Sequence, residues 1–85
     1  MADHSYSQCE YAACLDFTRR LLNAEPCRED AYRLRMRCYV RCGERAQAIR
    51  QYQLCESILR SEFDVAPETA TVELYHRIRS DPARV

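Results

Sequence analysis

Cysteine, histidine and arginine are the side chains of this sequence whose chemistry and spacing could serve a function. Six cysteines stand at Cys9, Cys14, Cys27, Cys38, Cys42 and Cys55. Cys38-x-x-x-Cys42 puts two thiols one helical turn apart, so both could face one metal ion, with Cys9 or Cys14 completing a site. Against that, both residues fall on an apolar helix arc, where cysteine serves as a small hydrophobe, and no metal site is expected. Nucleophilic catalysis needs a base within reach of the nucleophile. His4 lies near the start and His76 near the end, the acidic residues are spread evenly, and a single glycine cannot build a phosphate-cradling loop. No enzymatic activity and no cofactor are expected. The row Arg33, Arg37, Arg41 is different, because four-residue spacing holds the three within about 80° on a helix. Guanidinium groups grip carboxylates bidentately, which is the chemistry of binding acidic groups. The alternative is a solvated face neutralised by Asp30 and by i,i+4 partners. Arg35 falls instead in the middle of the apolar arc. Burying it alone is costly, so it must snorkel, pair with a carboxylate or meet a neighbouring chain.

These side chains must be positioned by a small fold. The chain has 85 residues, 13 basic and 13 acidic, with 47% apolar composition. That suits one soluble domain burying about 60–65% of its unfolded surface and excludes a two-domain enzyme. Zero net charge argues against whole-chain electrostatic capture of nucleic acid. The basic residues are all arginine, which reads as a coding bias rather than a phosphate-binding surface. The first dozen residues hold no apolar h-region, and no uncharged run approaches the roughly eighteen residues of a membrane span. With 31% charge and one glycine, the cysteines read as reduced thiols of a cytoplasmic protein rather than a disulfide framework.

Between Pro26, Gly43, Pro67 and Pro82 the apolar residues recur at helical spacing and never alternate. Residues 11–24 place Tyr11, Cys14, Leu15, Thr18, Leu21 and Leu22 in one arc. Residues 29–42 are more demanding, since Ala31, Tyr32, Leu34, Met36, Cys38, Tyr39, Val40 and Cys42 sweep about 240°. This helix must be packed on two sides, and Gly43 ends it. Residues 45–63 carry the stripe Ala48, Tyr52, Cys55, Leu59, Phe63. Residues 67–80 carry Val72, Leu74, Tyr75 and Ile78 behind the start signal Pro67-Glu68-Thr69. Residues 81–85 are expected to fray. The tyrosines Tyr11, Tyr32, Tyr39, Tyr52 and Tyr75 fall on packing faces, although an aromatic row could stack single-stranded bases if exposed beside basic residues. Short connections at residues 25–28 and 43–44 imply αα-hairpins. Tyr11-x-x-Cys14-Leu15 can be laid on Arg45-x-x-Ala48-Ile49 at an interval of 34 residues, the tetratricopeptide period.

The second repeat resembles the tetratricopeptide pattern, with Tyr32 opening its first helix, Met36 and Tyr39 along it, Gly43 at the turn, and Ala48, Tyr52 and Cys55 on its second helix. More specifically, Pro26-Cys27-Arg28-Glu29-Asp30-Ala31-Tyr32, Met36-Arg37, Gly43-Glu44-Arg45-Ala46-Gln47-Ala48 and Arg50-Gln51-Tyr52 are similar to the bacterial transcriptional activator domain. The ending Glu62-Phe63-Asp64-Val65, Pro67, Thr71, Leu74-Tyr75 and Arg77-Ile78 resembles that family too. This helical module occurs in Streptomyces antibiotic regulatory proteins and related signalling regulators, and the resemblance spans about residues 11–80. It implies an all-α, tetratricopeptide-like αα-hairpin solenoid fragment with a C-terminal capping helix, a single domain over residues 1–85.

Three departures from the family pattern matter. Arg35 replaces a large apolar residue. Asp64 stands where glycine is frequent, so aspartate, which tolerates a left-handed conformation better than most residues, would have to adopt one. The family module also begins with further helices and follows a winged-helix DNA-binding domain. Cys9-Glu10-Tyr11 corresponds to an inter-helix turn of the first repeat, which would make residues 1–10 a truncated first-repeat helix and the chain either a piece cut from a longer regulator or a natural truncation.

The resemblance implies a non-enzymatic protein-interaction module that helps regulator molecules associate or relays a signal to a DNA-binding domain outside this chain. In tetratricopeptide solenoids the face corresponding to Arg33, Arg37 and Arg41 lines the concave groove, so these are the candidate partner-binding residues. The truncated hairpin should leave Cys14, Leu15, Thr18 and Leu21 uncovered, a candidate self-association face for a homodimer. The competing readings are a stand-alone tetratricopeptide adaptor for acidic peptide segments and direct nucleic-acid binding.

Overall fold

The computed structural model describes the backbone of residues 2–81 and the side chains of residues 11–81. The tail beyond Asp81 and the side chains of His4 and Cys9 lie outside the described residues. Among the described residues four helices follow one another, α1 (Ala2–Ala24), α2 (Glu29–Arg41), α3 (Arg45–Phe63) and α4 (Thr69–Ser80). No strand occurs among the described residues, as the uniform helical periodicity implies.

The helix ends follow from local chemistry. After α2, Gly43 adopts φ 80°. Its N–H donates to the Val40 carbonyl and the Glu44 N–H to the Tyr39 carbonyl, at 3.0 and 2.8 Å. This pair of bonds is the Schellman arrangement, which a left-handed residue makes possible. After α3 the left-handed residue is Asp64, at φ 54° and ψ 42°, the conformation expected of it. α1 is longer at its start than the apolar arc suggests, and it stays helical through Cys9-Glu10-Tyr11, where the resemblance puts a turn. Residues 2–24 contain neither glycine nor proline, so nothing interrupts the i→i−4 ladder. α4 starts later than Pro67, because Glu68 is held extended at φ −62° and ψ 157° while its N–H donates to Glu29 Oε1 at 2.9 Å.

The short connections fold the chain into two overlapping hairpins that share α2. Their registers turn about Pro26 and Gly43. Thus Arg35 of α2, eight residues before Gly43, meets Gln51 of α3, eight residues after it. α2 packs against all three other helices, which explains its broad apolar arc. One core cluster joins Met36, Ala48, Tyr52, Leu74 and Ile78, flanked by Tyr39, Val40, Ile49, Val72 and Tyr75. A second joins Tyr32, Cys55 and Leu59, flanked by Leu22, Cys27 and Ile58. Phe63 departs from the stripe of α3 and is 60% exposed. The last turn of α3 runs past the α2 face that covers Leu59, so Phe63 is left beside Glu25, Pro26, Cys27 and Arg28.

Arg35 neither snorkels nor meets a carboxylate. Half-buried, it donates from Nε to Gln51 Oε1 at 3.0 Å and from Nη1 to the Leu15 carbonyl at 2.9 Å and Thr18 Oγ1 at 3.2 Å. Its Nη2 reaches the Tyr39 hydroxyl at 3.4 Å, and the guanidinium carbon lies 5.8 Å from the Tyr39 ring centroid. Neutral acceptors on α1 and α3 thus take up the donors of one side chain on α2. Thr18 and Gln51 are themselves buried, so each depends on such a partner.

Two measurements check this account by thermal or urea unfolding. Arg35→Ala should cost about 2–3 kcal/mol, because Gln51 is left buried without its donor. Arg35→Met combined with Gln51→Leu should recover most of that loss, since removing both partners together is nearly neutral. Asp64→Gly should instead stabilise by about 0.5–1 kcal/mol by relieving left-handed backbone at a residue with a Cβ.

Candidate functional site

Of the arginine row, only part stays on the surface. Arg33 is 20% exposed in its side chain and is bound into the fold. Its Nη1 donates to Thr71 Oγ1 at 2.9 Å and lies 3.8 Å from Glu68 Oε1. The Thr71 hydroxyl, fully buried, donates in turn to Glu29 Oε1 at 2.7 Å. The same carboxylate oxygen accepts the Glu68 N–H, so a residue at the start of α2 caps the start of α4. A carboxylate there also suits the positive end of the helix dipole. Arg33 is therefore a tie between α2 and α4, and it does not line the groove that Arg37 and Arg41 flank.

Asp30 acts on the row only through a weak Coulombic attraction to Arg33, its main partner being Arg28. Its carboxylate binds Arg28, with Arg28 Nε 2.9 Å from Asp30 Oδ1, and that hydrogen bond holds the Asp30 carboxyl below its ordinary range. Glu25 joins the same turn at 3.1 Å from Arg28 Nη1. These are exposed ion pairs of the α1–α2 connection.

Arg37 and Arg41 remain exposed and flank a groove of about 280 Å³ between α1 and α2, lined also by Tyr11, Cys14, Leu34 and Cys38. Among the described residues no carboxylate pairs with Arg37. Leu34, expected in the packed arc, is 37% exposed at this groove, because the register about Pro26 brings Thr18 and Leu15 opposite Arg35 instead. The lining is apolar and sulfur-bearing between two guanidinium groups.

The face formed by Cys14, Leu15, Thr18 and Leu21 is covered at Thr18 and partly open at the other three. Thr18 is fully buried, its hydroxyl donating to the carbonyls of Cys14 at 2.9 Å and Leu15 at 3.1 Å while accepting from Arg35. Cys14, Leu15 and Leu21 are half-buried, for α2 packs along this side of α1.

The cysteines divide by depth. Cys38 and Cys55 are buried, whereas Cys14, Cys27 and Cys42 are half-buried, and all five are free thiols. Burial pushes the Cys55 thiol up to about 12. Cys38 is also pushed up, by burial and by donating to Cys14, whose sulfur lies 3.0 Å away. Among the described residues no three of the His, Cys, Asp and Glu side chains converge as a metal site would require. The sequence brings Cys14 towards Cys38 only as a completing metal ligand; the direct sulfur pair has its signal in the hairpin register, since Cys14 and Cys38 each lie twelve residues from Pro26.

The remaining chemical candidates are occupied by packing. Tyr52 and Tyr75 stack at 4.0 Å with their planes 10° apart, Tyr32 is buried, and Tyr39 flanks the core. Exposed His76 tilts against Tyr75 with centroids 5.6 Å apart, and the Ser80 hydroxyl donates to the backbone carbonyl of His76 at 2.8 Å. No helix among the described residues is long and apolar enough to cross a membrane.

Among known proteins, one family model, described as the bacterial transcriptional activator domain, matches residues 1–79. No curated protein and no solved structure matches the chain.

The α2–α4 tie can be tested by unfolding. Thr71→Val keeps the shape but removes the hydroxyl that links Glu29 to Arg33, and should cost about 1–2 kcal/mol. Arg33→Ala should be destabilising in the same measurement, while Arg37→Ala should stay within about 0.5 kcal/mol of the parent.

Proposed function

Because this chain belongs to the bacterial transcriptional activator domain family, we propose that it is a protein-interaction module of a transcriptional regulator, receiving an acidic partner segment in the groove between α1 and α2. The module acts in the cytoplasm and does no chemistry itself. Regulator molecules associate through it, or a partner's signal passes through it to a DNA-binding domain carried elsewhere in the parent protein.

The observation that carries this reading is the exposed pair Arg37 and Arg41 beside the apolar walls of Tyr11 and Leu34. Guanidinium groups at the rim bind carboxylates, and the apolar strip between them takes a leucine-sized or aromatic side chain from the same segment. Arg37 can contribute to binding without being needed for folding. Tyr32, Tyr39, Tyr52 and Tyr75, by contrast, are engaged in packing, so among the described residues no exposed aromatic row is left for base stacking.

The test is charge reversal at the groove, read against charge reversal at the tie. Arg37→Glu should weaken binding of the parent regulator's protein partner, or of a fluorescent acidic amphipathic peptide, by more than tenfold with an unchanged melting temperature. Arg33→Glu should lower the melting temperature, since it sets a third carboxylate beside Glu29 and Glu68. Unaltered binding by Arg37→Glu would sink the groove reading.

A further inference from the structure

The two sulfurs on the groove lining are the chemical groups that neither the fold nor the proposed partner contact uses. Cys14 of α1 and Cys38 of α2 are 3.0 Å apart, sulfur to sulfur, against about 2.05 Å in a disulfide. They meet because the α1–α2 hairpin is in register about Pro26, so their encounter is built into the packing rather than arising from a mobile loop. Both side chains are short, and the residues on either side of the contact are held. Arg35, three residues before Cys38, bonds to the Leu15 carbonyl, one residue after Cys14. The other free thiols of known position, Cys27, Cys42 and Cys55, have no such sulfur neighbour among the described residues.

We propose that Cys14 and Cys38 form a reversible disulfide when the protein meets a low-molecular-weight disulfide oxidant, and that this bond locks α1 onto α2 beneath the groove. The inference stands apart from the partner-binding reading, since it concerns the two thiols and the stability of the hairpin, whatever occupies the groove.

The exchange balances in two steps. Cys14 is half-buried and lines the groove, while Cys38 is 4% exposed, so the oxidant RSSR reaches Cys14 first. The Cys14 thiolate, its proton released to solvent, attacks one sulfur of RSSR. The R–S–S–R bond breaks, RS⁻ leaves and takes up a proton, and a mixed disulfide joins Cys14 to R. Cys38 then loses its proton to solvent and its sulfur attacks the Cys14 sulfur, expelling the second RS⁻ as RSH. Two protein thiols are oxidised and one RSSR is reduced to two RSH. The protonated state that burial favours at Cys38 keeps it from being the first attacking group and assigns it the resolving role.

Closing this bond cross-links residues 24 apart, a loop long enough to restrict the unfolded chain substantially. The bond also draws the two helices together where Tyr11, Leu34, Arg37 and Arg41 line the same groove. Oxidation therefore stiffens this surface, and reduction releases it.

The experiment is oxidation of the native protein with glutathione disulfide, read by intact mass, peptide mapping and thermal melting. Cys9 and Cys14 share one tryptic peptide, so the map is made in a Cys9→Ser background. Expected are the loss of two hydrogens with no glutathione retained, a tryptic cross-link between the peptides holding Cys14 and Cys38, and a melting temperature raised by about 10 °C or more. Dithiothreitol should reverse all three. Cys14→Ser and Cys38→Ser should each abolish the cross-link and the shift, whereas Cys42→Ser should not. If either serine variant fails to fold, the peptide map of the Cys9→Ser protein still decides. A cross-link through other cysteines, glutathione adducts that never resolve, or an unmodified pair at equilibrium overturns the proposal.

Discussion

One guanidinium holds three helices in place. Arg35 sits on the helix that touches all the others, and its donors reach Leu15 and Thr18 on α1, Gln51 on α3 and Tyr39 on its own helix. A charged group at the junction of two hairpins is expensive to desolvate. Here its position is tolerable because it is only half-buried and because every partner presents an oxygen at hydrogen-bonding distance. The arrangement constrains more than a leucine could. An apolar side chain would fill the space at many relative rotations of α1 and α3, whereas a planar fork with fixed donor directions accepts few.

From that junction the rest of the molecule follows. Fixing Leu15 and Thr18 opposite Arg35 sets the register of α1 on α2, which in turn brings Cys14 onto Cys38 and leaves Leu34, Arg37 and Arg41 along the edge between the helices. At the other side of α2, Glu29 and Arg33 take the start of α4 through Thr71 and Glu68. α2 thus deals its polar residues in three directions, and what remains after both ties lies along the groove between α1 and α2. The surface of this module is a residue of its packing, and the groove carries two arginines where the linear row has three.

Much of this was legible in the chain. The four helices were readable because their apolar residues recur near 3.6, and the stops at Gly43 and Asp64 because left-handed backbone favours glycine and is tolerated by aspartate. The two-sided burial of α2 was readable from its 240° arc alone. The errors were of one kind. Arg33 looked like a member of a surface row, Leu34 like core and Thr18 like an open face, because a helical wheel ranks residues by angle and does not say which neighbour arrives at that angle. Phe63 continued a stripe in sequence although the helix it should pack on had ended. The start of α1 was misplaced because its first residues carry no apolar pattern, yet nothing in them breaks a helix.

By itself, then, the sequence determined what depends on residues a few positions apart, namely the helices, their caps, the hairpin connections and the family to which the chain belongs. Tertiary structure alone decided the partners of the polar side chains. Arg35 finds Leu15 and Gln51, Arg33 finds Thr71, and Cys14 finds Cys38, at separations of 20, 16, 38 and 24 residues. A hydrogen bond or a sulfur contact needs placement to a few tenths of an ångström, and over such separations the packing of helices, not the local code, supplies it. That is why a stripe of three arginines in the sequence became one structural tie and one two-arginine groove.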